Sequence, residues 1–249
     1  MMELQKLSEF FREFYVEKNS KEKVIDLHIH TNYSDGFISC KALEHHLRDK
    51  SYLLAVTDHN AIGGNIMLRK MGINVIPGIE LGCIDGFEML VYFKTEDDLI
   101  YFYKSFVEPN KNKYRMAKTH QDIHYYLRAL EKFQCYKSIP HIAGLAQKNF
   151  LKNKDYIYNV IARVDAIEIH NHALPNFRNL IAEDVQKRYE KELTFGSDAH
   201  FMEELIKFSK RINHLEKDNL FREYSSKIKL ISWLGRKHLA YGIKGVIEK

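Results

Sequence analysis

The sequence predicts an α/β barrel, and two observations lead to this prediction. Seven short segments rich in apolar and β-branched residues alternate with segments whose apolar residues recur at helical spacing, an order typical of a parallel sheet covered by helices. No low-complexity linker and no internal sequence repeat divides the 249 residues, so we expect one domain over 1–249. A chain of this length buries a sizeable core without disulfide bonds.

Each predicted element follows from a local pattern. The predicted strands cover residues 24–30, 53–60, 74–81, 88–93, 137–144, 165–171 and 193–200. The apolar residues of 1–19 have helical spacing, so we expect an N-terminal helix there that packs against the barrel. Ser39 is a candidate N-cap. Further helices are expected after Ser39 and Gly63, over 96–106, 112–134 and 176–191, and through most of 203–249.

Composition and cysteine usage indicate a soluble, cytoplasmic protein. Hydrophobic residues make up 45% of the chain and charged residues 29%, as in globular proteins. No segment approaches the roughly 20 apolar residues of a membrane span, and residues 1–23 carry Glu and Lys throughout, unlike a signal peptide. Cys40, Cys83 and Cys135 are widely separated, so a disulfide framework is not expected and a reducing compartment fits best.

The formal charge of +5 arises in the last part of the chain. Residues 203–249 contain 11 Lys or Arg against 6 Asp or Glu, whereas residues 1–202 contain 27 of each kind. A basic segment on a neutral body favours an anionic partner such as nucleic acid. Because acidic residues are interspersed through this segment, a solvated helical face is the preferred interpretation.

The first predicted strand carries the first candidate site. His28 and His30 are two apart, so both imidazoles point to one face of the strand, and Asp35 follows in the loop. A lone His-x-His is more often a pair of core histidines. Further candidates lie at the carboxyl ends of later strands, namely His59, Glu80, His141, Asp198 and His200. Parallel barrels carry their chemistry at these ends, so the coincidence favours a site for divalent metal ions.

Six motifs span residues 24–201. They are Asp26-Leu-His-Ile-His30 with Ser34-Asp-Gly36, Ala55-Val-Thr-Asp-His59, Pro77-Gly-Ile-Glu80, Ile139-Pro-His141, Ile167-Glu-Ile-His-Asn171 and Gly196-Ser-Asp-Ala-His200. In order and spacing they resemble the PHP (polymerase and histidinol phosphatase) superfamily of metal-dependent phosphoesterases. The small stand-alone phosphoesterases are the most similar branch, because Asp35 stands where other branches have His. The resemblance implies a distorted (βα)7 TIM-like barrel.

The resemblance also implies a site of up to three divalent cations. One cation would be held by His28, His30, Glu80 and Asp198, another by Asp35, His59 and His200, and a middle one by Glu80 and His141. Mixed imidazole and carboxylate ligands suit Mn²⁺, Fe²⁺ or Zn²⁺ better than Mg²⁺. We therefore expect two or three of these ions as cofactors.

The middle site departs from the pattern of the superfamily. Relatives provide one more His on the fourth strand, but no His lies between Gly82 and Lys118, and the predicted strand begins with Glu88. Either Glu88 substitutes as a ligand, or His170 or His172 reaches in as a ligand or substrate contact, or the middle cation is weak or absent. The alternative role of His170 and His172 is that of loop histidines.

Other residues near the motifs are candidates for supporting roles. Asp26 and Asp58 each lie beside a ligand histidine and are expected to orient imidazoles from behind, although Asp26 would equally fit a cap of the barrel's lower end. Arg115, Asn171 and Arg178 are candidates to bind phosphate, since guanidinium clamps phosphate bidentately. The alternative for each arginine is a solvated surface position.

We expect hydrolysis of a phosphate monoester or nucleotide by a metal-bound hydroxide, with Asp198, His200 and His59 as the catalytic candidates. His200 or His59 would protonate the leaving group, although both fit better as ligands. One alternative is a nuclease or phosphatase acting on nucleic-acid ends, and another is a non-catalytic binding or regulatory module. The first motif of amidohydrolases is also His-x-His, but these enzymes lack the Asp-Ala-His motif that comes last in this chain. The sequence does not predict the oligomeric state.

Overall fold

Seven strands form one sheet in the computed structural model, which describes residues 4–212, 235, 236 and 238–243. The strands are β1 (Lys23–Ile29), β2 (Ser51–Val56), β3 (Ile76–Gly82), β4 (Glu88–Phe93), β5 (Cys135–Ile139), β6 (Ala166–Asn171) and β7 (Glu192–Gly196). They neighbour one another in chain order. Each predicted strand is present, although several end a few residues earlier than predicted.

The sheet curves into a nearly closed barrel because β1 meets the chain just after β7. The amide of His30 donates to the carbonyl of Ala199 at 2.9 Å, and the amide of Asp198 donates to the carbonyl of His28 at 2.8 Å. At Gly196 a Cβ atom would lie 2.3 Å from the Cβ of His28. Only glycine therefore permits this approach, and the predicted α/β barrel is confirmed.

The all-parallel sheet that the strand–helix alternation suggests is wrong at one strand. β4 runs antiparallel to both β3 and β5, whereas the other neighbouring pairs are parallel. Only residues 83–87 join β3 to β4, which is long enough for a hairpin but too short for a parallel crossover. The start of β4, and with it Glu88, therefore lies at the rim where the other strands end.

Residues 235, 236 and 238–243 are helical, and nine further α-helices connect or flank the strands in the described part of the chain. They are α1 (Glu9–Arg12), α2 (Cys40–Leu47), α3 (Gly63–Lys70), α4 (Glu96–Phe102), α5 (Ile123–Leu130), α6 (Phe150–Asn153), α7 (Ile157–Arg163), α8 (Asn176–Arg188) and α9 (Met202–Ile212). The Ser39 hydroxyl accepts from the amide of Ala42 at 3.2 Å, so the N-cap predicted for α2 is present.

The single helix predicted over 1–19 is wrong. The described part of this range contains a 3₁₀ turn at Leu4–Lys6 and the single turn of α1, after which Val16 pairs with Tyr52. Phe11 packs edge-on against Tyr92, with ring centroids 5.1 Å apart. Tyr92 lies at the other end of β4 from Glu88, so the N-terminal segment covers the barrel end away from that rim.

The helix predicted over 112–134 is shortened to α5. The Asp122 carboxylate caps α5 by accepting from the amide of Tyr125 at 2.8 Å. Further upstream, the Asn112 side chain accepts from the amides of Tyr114 and Arg115. Such local side-chain bonds compete with a helix, so residues 111–122 form a loop.

Two further expectations concern cysteines and membrane segments. Cys40 and Cys83 are buried, Cys135 is partly buried, and all three thiols are free. No helix among the described residues has the length and apolar character needed to cross a membrane. The mainly helical segment predicted over 203–249 falls largely on residues 213–234, 237 and 244–249, which lie outside the described residues. One domain over 1–249 therefore stays a prediction.

The contact at Gly196 yields a stability prediction. Gly196→Ala would push the added methyl into His28 and open the seam between β1 and β7, so we expect a loss of about 1–3 kcal/mol in the free energy of unfolding. Urea denaturation followed by circular dichroism measures it. Gly235→Ala is the control, because a Cβ there meets no described atom within 4 Å. Equal stability of the two variants would contradict the prediction.

Candidate metal centre

His28 of β1 and His30 directly after it meet carboxylates from β3 and from the chain after β7 at the barrel rim. The Nε2 atoms of His28 and His30 lie 3.2 Å apart. Glu80 Oε2 lies 3.4 Å from His28 Nε2 and 3.3 Å from His30 Nε2, and Asp198 Oδ1 lies 3.6 Å and 3.2 Å from the same two atoms. We call these four side chains the first corner.

A second corner is built around the loop that follows β1. Asp35 Oδ2 lies 3.7 Å from His59 Nε2 and 3.4 Å from His200 Nε2. The His200 ring also stacks on the ring of His30, with centroids 4.4 Å apart. We call Asp35, His59 and His200 the second corner, and His30 joins it to the first.

The third corner consists of Glu80, Glu88 and His141. His141 Nε2 lies 3.3 Å from Glu80 Oε1 and 3.4 Å from Glu88 Oε2. His59 Nδ1 lies 3.1 Å from Glu80 Oε2, so Glu80 touches all three corners. Glu88 reaches the third corner because β4 is antiparallel and brings its first residue to this rim.

His170 and His172 turn away from the three corners. Both rings lie against Phe208 of α9, with centroids 5.9 Å and 5.6 Å from its ring, and His172 Nδ1 lies 3.3 Å from Arg211 Nη1. The register of β6 shifts between Glu168 and His170, and such a bulge reverses which side chain faces inward. Neither histidine belongs to a described ligand cluster.

Glu168 of β6 faces the centre, although no motif residue predicted a role for it. Its Oε1 lies 2.8 Å from His28 Nδ1, and its Oε2 accepts from the amide of His141 at 2.8 Å. Asn171 Nδ2 donates to Glu168 and, at 3.2 Å, to Asp198. The available signal was a carboxylate inside the apolar run 166–169, since such residues are rarely buried without partners.

Asp26 and Asp58 accept hydrogen bonds from backbone amides and hydroxyl groups, and their role in orienting imidazoles stays a prediction. Asp26 Oδ1 accepts from the amides of His28 and Ser197 at 3.1 Å and 2.9 Å, which ties β1 to the chain after β7. Asp58 accepts from the amide and hydroxyl of Thr31 and from the hydroxyl of Ser34, at 2.6–2.7 Å. It thereby fixes the loop that carries Asp35.

The two candidate arginines lie outside the three corners. Arg178 Nη1 donates to the carbonyl of Ala143 at 3.3 Å, and its guanidinium lies over the ring of Phe177. Arg115 is exposed in the loop 111–122. Asn171 does touch the first corner, where it donates to Asp198. Phosphate binding by these three residues stays a prediction.

Two residues of the centre have unusual backbone conformations. Asp198 has φ +55° and His141 has φ +32°, in the left-handed region that residues other than glycine rarely adopt. Local strain of this kind persists where the surrounding structure fixes it, and it concentrates at functional sites. Here hydrogen bonds to Asn171 and Glu168 fix both residues.

The carboxylates of the corners are held in the ionised form. Burial alone would raise the pKa of Glu80, but His59 and His28 outweigh it and hold the pKa well below its usual range. The same balance, set by His28 at Asp198 and by His59 and His200 at Asp35, lowers the pKa of those carboxyls. The corners therefore hold several ionised carboxylates close to one another and to the imidazoles.

The donor atoms of the corners fit divalent cations. Five buried ligand atoms of the corners make no hydrogen bond to any described group, namely His30 Nδ1, His59 Nδ1, Glu80 Oε2, Glu88 Oε2 and His141 Nδ1. Buried polar atoms normally have partners. In each of four overlapping triads of His, Asp and Glu, the ligand atoms lie within 4.8 Å of one another. Mixed nitrogen and oxygen donors of this kind suit Mn²⁺, Fe²⁺ and Zn²⁺.

A histidine from the C-terminal part of the chain reaches the second corner. His238 Nε2 lies 3.5 Å from Asp35 Oδ2. Close by in the chain, a Cβ at Gly242 would lie 3.0 Å from the carbonyl of Tyr114. Residues 238–243 therefore lie beside the loop 111–122 and the rim. No motif or spacing in the sequence pointed to His238.

Glu168 yields a prediction about metal affinity. Glu168→Gln removes the charge that orients His28 through Nδ1, and loss of such a partner costs about 10–100-fold in metal affinity. Calorimetric titration of the metal-free protein with Mn²⁺ measures the change. Glu183→Gln, which breaks a surface ion pair with Lys187, is the control and should bind as the parent does. Parental affinity in Glu168→Gln would refute this role.

Comparisons with known proteins give the fold. No protein-family model and no curated protein matches the chain. A structure assigned as a metal-dependent phosphoesterase of Bifidobacterium adolescentis is similar, with TM-score 0.52 and 17% identity over 74% of this chain and 90% of that one. So is a Bacteroides vulgatus two-domain protein containing a predicted PHP-like metal-dependent phosphoesterase, with TM-score 0.51 and 17% identity over 78% of this chain and 55% of that one. An amidohydrolase of Chromobacterium violaceum gives TM-score 0.52 and 15% identity over 71% and 87% of the two chains. The chain thus has the TIM-like barrel fold of PHP-like metal-dependent phosphoesterases.

Proposed function

We propose that the chain is a metal-dependent phosphoesterase that hydrolyses a phosphate monoester or a nucleotide. One observation carries the proposal: imidazoles and carboxylates from five strands and their loops converge, with ligand atoms of overlapping triads within 4.8 Å of one another. The motifs of the sequence and the fold of the similar structures support the same reaction class. The cofactors would be two or three ions of Mn²⁺, Fe²⁺ or Zn²⁺.

Because the site is rich in carboxylates, it would have to hold cations before it could bind phosphate. Five carboxylates lie at the three corners and directly behind them, those of Asp35, Glu80, Glu88, Glu168 and Asp198. A phosphate monoester is itself an anion, so this rim would repel it. Divalent ions, when bound, would neutralise the phosphate oxygens and lower the pKa of a coordinated water.

The side chains of the corners have separable roles in this proposal. The first and second corners would each hold one cation, with Glu80 shared between them. His200 Nδ1 lies 2.9 Å from the carbonyl of Asp198, and its Nε2 faces Asp35. This orientation supports a ligand role for His200 over that of a proton donor to the leaving group, since Nδ1 is the bonded nitrogen and Nε2 faces the corner.

A second candidate is hydrolysis at the end of a nucleic-acid strand. The observation that favours it is the position of His238, which brings part of the basic segment 203–249 to the second corner. A basic segment beside the rim would attract the phosphates that flank a scissile bond. A small phosphate ester would gain little from it.

The proposed reaction is tested by removing the cations and the ligands separately. The chelated protein should be inactive on a panel of phosphomonoesters, nucleotides and short oligonucleotides, and Mn²⁺ should restore turnover. His28→Ala and Asp198→Ala should each lose more than about 100-fold, because even partners of ligands are worth 10–100-fold. His120→Ala, at an exposed position, is the control. Parental turnover in both ligand variants would refute the proposal.

Salt dependence separates the two substrate classes. If the substrate is an oligonucleotide, the logarithm of its affinity should fall with the logarithm of salt concentration, with a slope of about −0.7 for each phosphate contacted on a single strand. For a small phosphate monoester, the slope should be close to the value expected for a single phosphate contact. Measuring KM at several salt concentrations for the preferred substrate of each class decides between them.

A further inference from the structure

The positively charged side chain of Lys148 lies at the third corner. Lys148 Nζ lies 2.9 Å from Glu88 Oε2, the same oxygen that lies 3.4 Å from His141 Nε2. The Glu88 side chain is only 7% exposed, whereas that of Lys148 is 49% exposed. The lysine therefore extends from the surface and brings its ammonium to a buried carboxylate of the centre.

The loop after β5 is built to return Lys148 to the rim. Ala143 pairs with Asn149, and the amide of Phe150 donates to the carbonyl of Ile142 at 3.0 Å. Between these bonds the chain doubles back, and the amide of Lys148 donates to the carbonyl of Leu145 at 3.0 Å. Lys148 is seven residues beyond His141 and still meets the same carboxylate, so its position follows from this loop.

The ammonium and a divalent cation would compete for one oxygen. A lysine carries a positive charge below about pH 10, and Glu88 is its ion-pair partner. A cation held by Glu80, Glu88 and His141 would be repelled by the ammonium and would have to displace it. No comparable ammonium contacts the first or the second corner among the described ion pairs.

We propose that Lys148 takes the place of one divalent cation at the third corner, so that the centre holds two cations and one fixed ammonium. The inference rests on the proposed function, because it presumes that the first and second corners bind cations. It gives the carboxylate at position 88 a role at a corner without a divalent cation. A neutral imidazole there would leave the ammonium of Lys148 without its ion-pair partner.

The number of bound ions tests the proposal without reference to activity. The full-length protein is stripped of metal, saturated with Mn²⁺, freed of excess ion and subjected to elemental analysis, and it is titrated with Mn²⁺ by calorimetry. We expect two ions per chain in the parent and in Lys148→Arg, which keeps the charge. Lys148→Met removes the charge at similar length and should bind three.

Two further variants exclude indirect effects. The double variant Lys148→Met with Glu88→Gln should return to two ions, because the freed carboxylate is then lost. Lys152→Met removes an exposed lysine of α6 and should keep two. Circular dichroism of each variant checks the fold.

The outcomes separate this inference from the proposed function. Two ions in both the parent and Lys148→Met, with equal affinity, would overturn the role of Lys148 and leave the phosphoesterase proposal standing. Three ions in the parent would overturn it as well. A parent that binds no Mn²⁺ would overturn the proposed function and this inference together.

Discussion

The centre depends on one electrostatic constraint, the burial of more carboxylates than the chain can neutralise. The chain separates its buried acids into two groups. Burial raises the pKa of Asp26 to about 7 and also raises that of Asp58, and both bond to amides or hydroxyls. Glu80, Asp35 and Asp198 instead face imidazoles, which lower their pKa despite burial. The first group holds loops together, and the second is left ionised around a space that suits cations.

Departures from regular structure create the rim. An ideal parallel barrel would place the end of its fourth strand there, yet the antiparallel β4 presents its beginning. The bulge in β6 turns His170 away from the centre and brings Asn171 to it, and the left-handed conformations of His141 and Asp198 direct their side chains. Each departure costs local stability and delivers one functional group, as expected where function overrides regular geometry.

The features that depend on neighbouring residues in the chain, such as the face of a strand on which a side chain lies, were predicted correctly from the sequence. The period of a strand placed His28 and His30 on one face, and the carboxyl-end rule gathered His59, Glu80 and Asp198 at the same rim. In the loop 111–122, where side chains bond to the backbone, the helical pattern gave the wrong prediction. The capping bonds of residues 112 and 122 ended a helix whose spacing was otherwise continuous.

Contacts between side chains that are distant in the sequence could not be predicted in the same way. Glu168 lay inside a quoted motif, but the partners that it meets, His28 and the amide of His141, are distant in the sequence. Lys148 and His238 belong to no motif, and a loop and a distant segment bring them to the rim. Only the closed barrel establishes which of these charges meet. The sequence could therefore predict most ligand candidates but not the groups that orient or compete with them.

The fold alone does not decide between a phosphoesterase and an amidohydrolase, since a protein of each description is similar to this chain at comparable TM-scores. The proposal of a phosphoesterase rests on the arrangement at the centre. Glu80 Oε2 lies within 3.4 Å of His28, His30 and His59, and its Oε1 lies 3.3 Å from His141. A single carboxylate is thus shared by all three corners. Lys148, whose ammonium reaches the rim, forms an ion pair with Glu88. A centre joined by a carboxylate, with its lysine kept as an ammonium, is suited to gathering positive charge around an anionic substrate, and phosphate esters are such substrates.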